Sequence, residues 1–258
     1  MKILVCIKQV PDSETAFRVD KDTGWVRPKG QTKYWMNHAD EFAVEEAVLI
    51  KETRPDTVVD ALTVGPERAA QVLERAMGMG ADGAVHLLVP EEGYLSPLSI
   101  ASLIAAYASD KGYGLILAGV MAEDDMQGQV GPLLAELLSL PCATSVIFEE
   151  LSPDGGMVYV EREIEGGQRD ILELDLPAVL TVQTGINKPR YSSLSNLLRA
   201  KKQKAFVINR DKLPSVEDRE KILRADYPRK SRTGVVLEGD QGEKAVQLLQ
   251  ILKEKAFL

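Results

Sequence analysis

A glycine-rich, acidic loop at residues 119–131, GVMAEDDMQGQVG, has the residue types of a site that binds an anion through its backbone. The loop holds three glycines, three acidic residues and two glutamines, and a helical pattern begins where it ends. Backbone N–H groups at a helix N-terminus bind phosphate-like anions without a cationic side chain. Asp125 would then accept a hydrogen bond from a sugar or a base. A loop that merely caps its helix explains the pattern equally well, so both interpretations stay open.

A second unusual segment, residues 190–204, has the sequence RYSSLSNLLRAKKQK. A turn of small residues displays Leu194, and a short helix then ends in a basic cluster, in a chain whose formal net charge is −8. In one interpretation Leu194 packs against the helix start and the basic side chains complement the helix dipole. In the other, the segment docks another protein. The basic cluster comprises Arg199, Lys201, Lys202 and Lys204.

Histidines and cysteines are too few and too scattered for a metal or catalytic site. His38 and His86 are the only histidines, and their spacing is not that of metal ligands. No serine–histidine, cysteine–histidine or glutamate–histidine cluster is available near residues 119–131, which disfavours a small hydrolase or ligase. Cys6 and Cys142 are far apart, which argues against a disulfide framework and suits a reducing compartment. We therefore expect a cytoplasmic protein.

The composition is that of a soluble globular protein. Of the 258 residues, 45% are hydrophobic and 27% are charged. A nucleic-acid partner is not expected, because it would need basic residues grouped over a broad face of an otherwise acidic chain. The first ten residues, MKILVCIKQV, form too short an apolar run to span a membrane and are typical of a first strand rather than a signal peptide.

Strands and helices alternate in the first half of the chain. Strands are predicted at residues 1–9, 58–64, 84–89 and 113–120, with helices at 37–52, from 67 to 79, at 98–109 and at 131–139. This alternation predicts a parallel sheet with helices on both faces. Beyond Pro141 the pattern changes to strands alone, at residues 143–149, 157–164, 170–175 and 178–184. Ligands of such sheets bind at the carboxyl ends of the strands, so the loops after the first, second and fourth strands are the candidates. None of those loops contains G-x-G-x-x-G or a Walker lysine, which leaves a Rossmann fingerprint and a P-loop unsupported.

Local signals refine the first two helices. Asn37 is well placed to cap the first helix, and Gly80 is the expected C-terminal cap of the second. Glu45 and Glu46 are expected on a solvated face of the first helix.

The last fifty residues are polar. They contain an isolated strand pattern at residues 234–239, GVVLEG, and an amphipathic helix at residues 243–255. Such a segment has too little apolar content for a core of its own, so it is either a loosely packed extension or an arm that packs on another chain, and we predict the arm. The predicted division is an α/β domain at residues 1–204 and a C-terminal arm at residues 205–258.

Six segments, taken in order, resemble the small (beta) subunit of electron transfer flavoproteins. They are KILVCIKQVPDS (2–13), MNHADEFAVEEAVLIKE (36–52), VGPERAAQVLERAMGMGADGAVH (64–86), AEDDMQGQVG (122–131), VEREIEGG (160–167) and PAVLTVQTGINKPRYSSLSNLLRAKK (177–202). The last is the most specific, because a proline-led strand is followed by N-x-P-R-Y and a leucine-bearing loop. Together these segments cover nearly all of the chain up to residue 204.

The resemblance implies a fold, a cofactor and a partner. The fold is α/β, with a parallel sheet like that of adenine nucleotide alpha-hydrolase-like proteins (Rossmann-like), added antiparallel strands and an extended C-terminal arm. The chain would be one half of a heterodimer whose larger alpha subunit holds the redox FAD, while this subunit holds a structural AMP. Carried over position by position, the nucleotide site comprises Cys6, Asn37, His38, Ala39, Asp40, Val64, Gly119, Val120, Met121, Ala122, Glu123, Asp124, Asp125, Met126, Gln127, Gly128, Gln129 and Val130.

The resemblance also assigns a role to residues 190–204, which match the family's recognition loop. Leu194 matches the leucine that anchors in an apolar pocket of a flavin-dependent dehydrogenase of the acyl-CoA type, and Arg199, Lys201 and Lys202 lie beside it in the sequence. Electrons would pass on to a downstream quinone oxidoreductase.

Two features depart from the AMP-binding pattern. Relatives that bind AMP often carry Asn-Gln-Thr-Gly where this chain has Gly128-Gln129-Val130-Gly131, so the hydroxyl that would face phosphate is missing. The stretches QVGP and KQVPDS are similar to the electron-bifurcating branch, in which a second FAD replaces AMP and NADH is oxidised. AMP is our first prediction and a second FAD the alternative. A nucleotide-binding sensor without a redox role is the alternative from another class.

Overall fold

A nine-stranded sheet forms the centre of the fold in this computed structural model, which describes residues 1–20, 24–90, 94–214, 216, 219–227 and 234–255. The strands of the described residues are β1 (Lys2–Cys6), β2 (Gln9–Pro11), β3 (Phe17–Val19), β4 (Val26–Pro28), β5 (Tyr34–Met36), β6 (Val58–Gly65), β7 (Gly83–Leu88), β8 (Leu115–Gly119), β9 (Cys142–Leu151), β10 (Met157–Ile164), β11 (Gln168–Asp175), β12 (Ala178–Val182) and β13 (Phe206–Asn209). The helices are α1 (His38–Thr53), α2 (Ala70–Met79), α3 (Pro97–Ala108), α4 (Val130–Leu138), α5 (Leu194–Ala200) and α6 (Gln241–Glu254).

The strand order is β11-β10-β9-β12-β8-β1-β6-β7-β13. Each strand pairs in parallel with its neighbour along the part of the sheet that runs β9-β12-β8-β1-β6-β7-β13. At the other edge, β10 pairs antiparallel with both β9 and β11. The prediction of an α/β fold with a mostly parallel sheet and added antiparallel strands is confirmed. Two short hairpin-like pairs, β2 with β5 and β3 with β4, lie outside the main sheet.

Alternate residues of the central strands feed two cores, one on each face of the sheet. On β1, Ile3 and Val5 belong to the cluster that contains residues of α1 and α2, while Leu4 and Cys6 belong to the cluster that contains residues of α3 and α4. This is the period-2 alternation of a strand that is buried on both faces. Helices therefore cover both faces of the sheet, as predicted.

Three local predictions differ from the structure. The first strand ends at Cys6, because the chain leaves the main sheet there and pairs again as β2 with β5. Residues 234–239 do not form the predicted strand: Val235 and Val236 are exposed, and no strand among the described residues pairs with them. β13 was not predicted, because its four residues gain strand structure only by pairing with β7. Gly80 does end α2, with a positive φ of 137°, as predicted.

The chain divides into two compact units, Met1–Ala225 and Asp226–Leu258. The second unit contains α6, which begins with a capping box between Asp240 and Glu243 and buries none of its described side chains. The division into a domain at residues 1–204 and an arm at residues 205–258 stays a prediction. The packing of that arm on a partner also stays a prediction. Within the described part of the chain, every helix is too short or too polar to cross a membrane.

Candidate functional site

A pocket lies at the carboxyl ends of β1, β6 and β8, where loops had been predicted to bind a ligand. The predicted site residues that line it are Cys6, Asn37, Asp40, Val64, Gly119, Val120, Met121, Ala122, Asp125, Gln127, Gly128, Gln129 and Val130. These residues come from distant parts of the sequence, and the parallel strands bring them to one edge of the sheet.

Five predicted residues lie outside the pocket wall: His38, Ala39, Glu123, Asp124 and Met126. The His38 side chain is exposed and packs edge-on against Phe42, with 5.2 Å between ring centroids. Ala39 is buried beneath Gly119, and Met126 is exposed. These five therefore support or flank the pocket, and Asp124 does so through an ion pair described below.

Sequence reasoning missed six lining residues: Ile7, Lys8, Pro97, Ile100, Ile104 and Ala118. Gly131 also lines the pocket, as the last residue of the predicted anion-binding loop. Pro97, Ile100 and Ile104 follow one face of α3, and their spacing is visible in the sequence. The spacing does not tell that α3 borders this pocket, because that depends on the order of the strands. Lys8 could have been found from the sequence, because it lies two residues after the carboxyl end of β1.

Asn37 holds the loop at residues 119–131 in place. It occupies the N-cap position of α1, as predicted, but its side chain makes no capping hydrogen bond. Instead, the side-chain amide donates to the carbonyl oxygen of Met121 at 2.9 Å and accepts from the N–H of Glu123 at 3.0 Å. The buried amide is therefore engaged by the loop rather than by the helix terminus.

Asp40 joins the ends of two strands. Its carboxylate accepts from the backbone N–H of Lys8 at 2.7 Å and from that of Gly119 at 3.0 Å. A Cβ on Gly119 would lie 2.8 Å from the Cβ of Ala39, so only glycine allows this approach. Burial raises the pKa of Asp40 to about 7, although both N–H bonds act in the opposite direction.

Cys6 forms part of an apolar wall and is chemically inert. Burial, together with the nearby charge of Asp40, raises the pKa of the Cys6 thiol to about 12. The thiol thus stays protonated at neutral pH and is not a nucleophile. The remaining apolar residues of this wall are Val64, Pro97, Ile100, Ile104 and Ala118.

The backbone at the start of α4 forms another part of the pocket wall. Gly128, Gln129, Val130 and Gly131 all line the pocket, and none of their N–H groups has a hydrogen-bond acceptor among the described residues. Gly128 has a φ of 63°, a conformation that favours glycine. A Cβ on Gly131 would collide with the Thr181 side chain of β12, so glycine also lets α4 start against the sheet. Unpaired N–H groups at a helix N-terminus suit an anion.

Among the described residues that line the pocket, Lys8 has the one cationic side chain. Its ammonium group lies 2.6 Å from a carboxylate oxygen of Asp124 and 2.9 Å from one of Asp125. Burial alone would lower the pKa of Lys8, but both carboxylates raise it and the net shift is upward. Asp125 also accepts from the N–H of Gln127 at 3.2 Å. One of its oxygens therefore faces Lys8 and the other faces Gln127, and its hydrogen bond to a sugar or a base stays a prediction.

Comparison with known proteins identifies the family. The model of the electron transfer flavoprotein domain matches residues 29–213 of this chain. Relatives match over nearly the full length. The electron transfer flavoprotein subunit beta of Bacillus subtilis (strain 168) is 35% identical over 262 residues, covering 99% of each chain. The chain is an electron transfer flavoprotein beta subunit by family.

Eukaryotic members of the family are equally similar. The mitochondrial electron transfer flavoprotein subunit beta of Arabidopsis thaliana is 36% identical over 260 residues, covering 100% of each chain. The Homo sapiens subunit beta is 35% identical over 241 residues, covering 92% of this chain and 93% of the human one. The resemblance seen in the sequence is thereby confirmed.

In this beta subunit, the segment that leads to residues 190–204 is fastened to α1. Arg190 donates to both carboxylate oxygens of Glu45, at 2.9 to 3.1 Å, and pairs with Glu52 at 2.6 Å. Asn187 donates to Glu46 at 2.7 Å. Glu45 and Glu46 are 4% and 8% exposed, so the prediction of a solvated helix face was wrong. The cause is that distant polar partners cover that face and satisfy both carboxylates.

The helix α5 of this beta subunit packs on α2. A Cβ on Gly78 of α2 would lie 2.8 Å from the Leu197 side chain and 2.9 Å from the Ser192 hydroxyl, so glycine makes the close approach possible. Ser193 caps α5 by accepting from the N–H of Asn196 at 3.2 Å. The backbone of Leu194 begins α5, and its side chain lies outside the described part of the structure.

The predicted basic cluster of this beta subunit is exposed. Arg199, Lys201, Lys202 and Lys204 have exposed side chains, and none forms an ion pair with another described residue. The structure thus brings these four cations together at one end of α5.

Proposed function

We propose that this chain is the small subunit of a heterodimeric electron transfer flavoprotein that carries electrons from flavin-dependent dehydrogenases of the acyl-CoA type to a downstream quinone oxidoreductase. The alpha subunit of the heterodimer holds the FAD that accepts and passes on the electrons. The chain described here contributes a structural AMP site and a docking segment for the dehydrogenase. The observation that carries the proposal is a single pocket that has both an apolar wall and unpaired backbone N–H groups.

The apolar wall and the backbone N–H groups of this pocket suit the two ends of AMP. A nucleobase suits the apolar wall formed by Cys6, Val64 and the α3 residues, because moving the faces of a planar ring from water to an apolar surface costs little free energy. A phosphate suits the N–H groups of residues 128–131, because the dipole of α4 favours negative charge there. Because Val130 has no hydroxyl, the phosphate would be bound by backbone N–H groups alone, whereas a threonine at this position would add a side-chain donor.

The docking segment fits a transient electron-transfer interface. Such interfaces are small and depend on one or two anchors. A buried leucine contributes about 1.5–3 kcal/mol, enough to orient a partner without holding it. The exposed cations at the end of α5 would steer an acidic dehydrogenase surface and raise the association rate more than the affinity. The anchoring of Arg190 on Glu45 and Glu52 gives this segment a fixed base.

A second candidate function is supported by the surroundings of the pocket. A recess that contains Trp25, Arg68 and Tyr94 adjoins the pocket and has room for a longer ligand. In the electron-bifurcating alternative, a second FAD would occupy this subunit in place of AMP, and the protein would oxidise NADH. A nucleotide-binding sensor without a redox role is disfavoured, because it leaves the docking segment without a purpose.

Substitution of Leu194 by alanine tests the proposed function. We expect Leu194→Ala to lower electron transfer from the cognate dehydrogenase several-fold or more, while the flavin content, the melting temperature and the reduction of an artificial dye stay unchanged. Leu198→Ala is a matched control, because Leu198 is an exposed leucine of the same helix. Equal rates for wild type and Leu194→Ala, or a loss that accompanies unfolding, would contradict the docking role.

A further inference from the structure

One turn forms the middle of the loop at residues 119–131, between β8 and α4. In this turn the N–H of Met126 donates to the carbonyl oxygen of Ala122 at 2.8 Å, and no residue from 120 to 129 belongs to a helix or strand. Asp124 and Asp125 therefore lie at the tip of the turn. Because residues before and after this tip line the pocket, whatever holds the tip helps to fix the shape of the pocket.

Lys8 holds this tip from the end of β1. Its ammonium group donates to a carboxylate oxygen of Asp124 at 2.6 Å and to one of Asp125 at 2.9 Å. Lys8 and Asp125 both line the pocket, so their contact joins two parts of the pocket wall that are 117 residues apart in the sequence. The backbone N–H of Lys8 donates in turn to the buried carboxylate of Asp40 at 2.7 Å, so the lysine side chain starts from a fixed point.

Other polar groups near the tip have partners of their own. Arg68 also lines the recess beside the tip, but its guanidinium lies 3.8 Å from the centroid of the Tyr34 ring and donates to the side chain of Gln9. Asn37 holds the part of the loop that comes before the tip. In the ion pairs that the structure describes, both carboxylates of the tip face Lys8. The ammonium of Lys8 is thus the cation that positions the tip.

These ion pairs are partly shielded from water. The side chains of Lys8, Asp124 and Asp125 are 31%, 26% and 21% exposed. Opposite charges attract more strongly where water is partly excluded than on an open surface, where ion pairs contribute little. Because the turn belongs to no strand or helix, loss of the ion pairs should free the tip while the sheet stays intact.

We propose that Lys8 is a positioning residue of the nucleotide site, which keeps the loop closed on a bound nucleotide and sets the rate of its release. The loop carries the unpaired N–H groups of residues 128–131, so movement of its tip away from Lys8 widens the pocket and displaces these groups. The same opening admits a nucleotide, so entry and release both become faster when the ion pairs are lost. The proposal rests on the proposed nucleotide site and adds the residue that determines how long the nucleotide stays.

The test follows the release of isotope-labelled AMP from the heterodimer into excess unlabelled AMP. We expect Asp124→Asn to release AMP at least fivefold faster than the wild type. Asp124 lies outside the wall of the pocket and contacts Lys8, so its effect must pass through the lysine. The dissociation constant should change less than twofold, because the rate of entry rises as well. Asp110→Asn is the matched control, because it removes one carboxylate from a lysine ion pair beyond the other end of α3, and its release rate should equal that of the wild type.

The outcomes separate the role of Lys8 from the nucleotide site itself. Release as slow as that of the wild type from Asp124→Asn and Lys8→Met, or equally fast release from Asp110→Asn, overturns the role of Lys8 and leaves the site intact. A dissociation constant that rises as much as the release rate also overturns it, because the nucleotide would then have lost a contact and not a closed loop. If Asp124→Asn does not fold with its FAD, Lys8→Met decides alone. A wild type that binds no AMP overturns the proposed site and the role of Lys8 with it.

Discussion

At the residue scale, a few buried polar side chains of α1 connect the pocket to the rest of the beta subunit. Asn37 and Asp40 fix the loop at residues 119–131 and the ends of β1 and β8. Further along the helix, Glu46 binds Asn187 and Glu45 binds Arg190, at the start of the proposed docking segment. Each of these groups is satisfied by a partner that is distant in sequence, which is the condition for burying a polar side chain.

The neighbouring carboxyl groups of Glu46 and Glu149 make the stability of the fold depend on pH. Burial, followed by the charge of Glu46, raises the pKa of Glu149 on β9 to about 8. Because the folded-state pKa lies above the unfolded value, the fold favours the protonated form, and stability falls as the pH rises from about 4.5 towards 8. Glu149→Gln removes this cost, since glutamine is neutral and also donates to Glu46.

We therefore expect the melting temperature of Glu149→Gln to equal that of the wild type near pH 4.5 and to exceed it by a few degrees at pH 8.5. Thermal unfolding followed by circular dichroism across this pH range measures the difference. Glu136→Gln is the control, because Glu136 is exposed on α4 and is not among the charges that raise the pKa of Glu149. A constant difference between Glu149→Gln and wild type at all pH values would show that the pair does not titrate as stated.

At the element scale, the close contact between α2 and α5 explains how a seven-residue helix keeps its place. Isolated helices of this length are unstable in water, so α5 depends on its cap at Ser193 and on packing. Ala200 is buried, and Gly78 lets Leu197 approach α2. The position of the proposed docking segment therefore depends on this contact.

Gly78→Ala should loosen α5. The added methyl group would force Leu197 and Ser192 away, at a cost of about 1–3 kcal/mol, although alanine gains about 1 kcal/mol of helix propensity within α2. We expect faster hydrogen exchange in residues 192–201 and unchanged exchange in residues 119–131. Gly156→Ala serves as the control, because its nearest side-chain atoms lie at the ordinary distance of 3.6 Å or more. Unchanged exchange in α5 would show that Leu197 and Ser192 adapt without loss.

Much of this architecture could be predicted from the sequence, and the misses have physical causes. The alternation of strands and helices up to Ser139 depends on local periodicity, which a single sequence displays. The strand β13 and the false strand at residues 234–239 differ only in whether a neighbouring strand is available, which no local pattern reveals. Pro97 and Ile100 were missed in the pocket for the same reason, because the position of α3 follows from the strand order.

At the scale of the whole molecule, the second compact unit buries none of the side chains that the structure describes in it. The α6 residues Val246, Leu248 and Leu249 are exposed, although they are large and apolar. An amphipathic helix with an exposed apolar stripe is stabilised by packing against another surface. In the proposed heterodimer, that surface belongs to the alpha subunit.

Addition of the alpha subunit should therefore protect α6. We expect amide hydrogen exchange in Gln241–Glu254 to slow at least tenfold in the heterodimer compared with the isolated chain, because burial stabilises the helix against opening. Val246→Asp should weaken heterodimer formation, whereas Lys244→Asp on the same helix should have little effect. Equal exchange rates with and without the alpha subunit would contradict the proposed packing of the arm.

The nucleotide content of the purified heterodimer tests the central claim most directly. The complex is denatured, the protein removed, and the released nucleotides are separated and quantified per heterodimer. We predict about one AMP and one FAD, both retained through purification and released only on denaturation. Two FAD and no AMP would favour the bifurcating alternative within the same pocket. A single FAD with no further adenine nucleotide would contradict the assignment of this pocket as a nucleotide site.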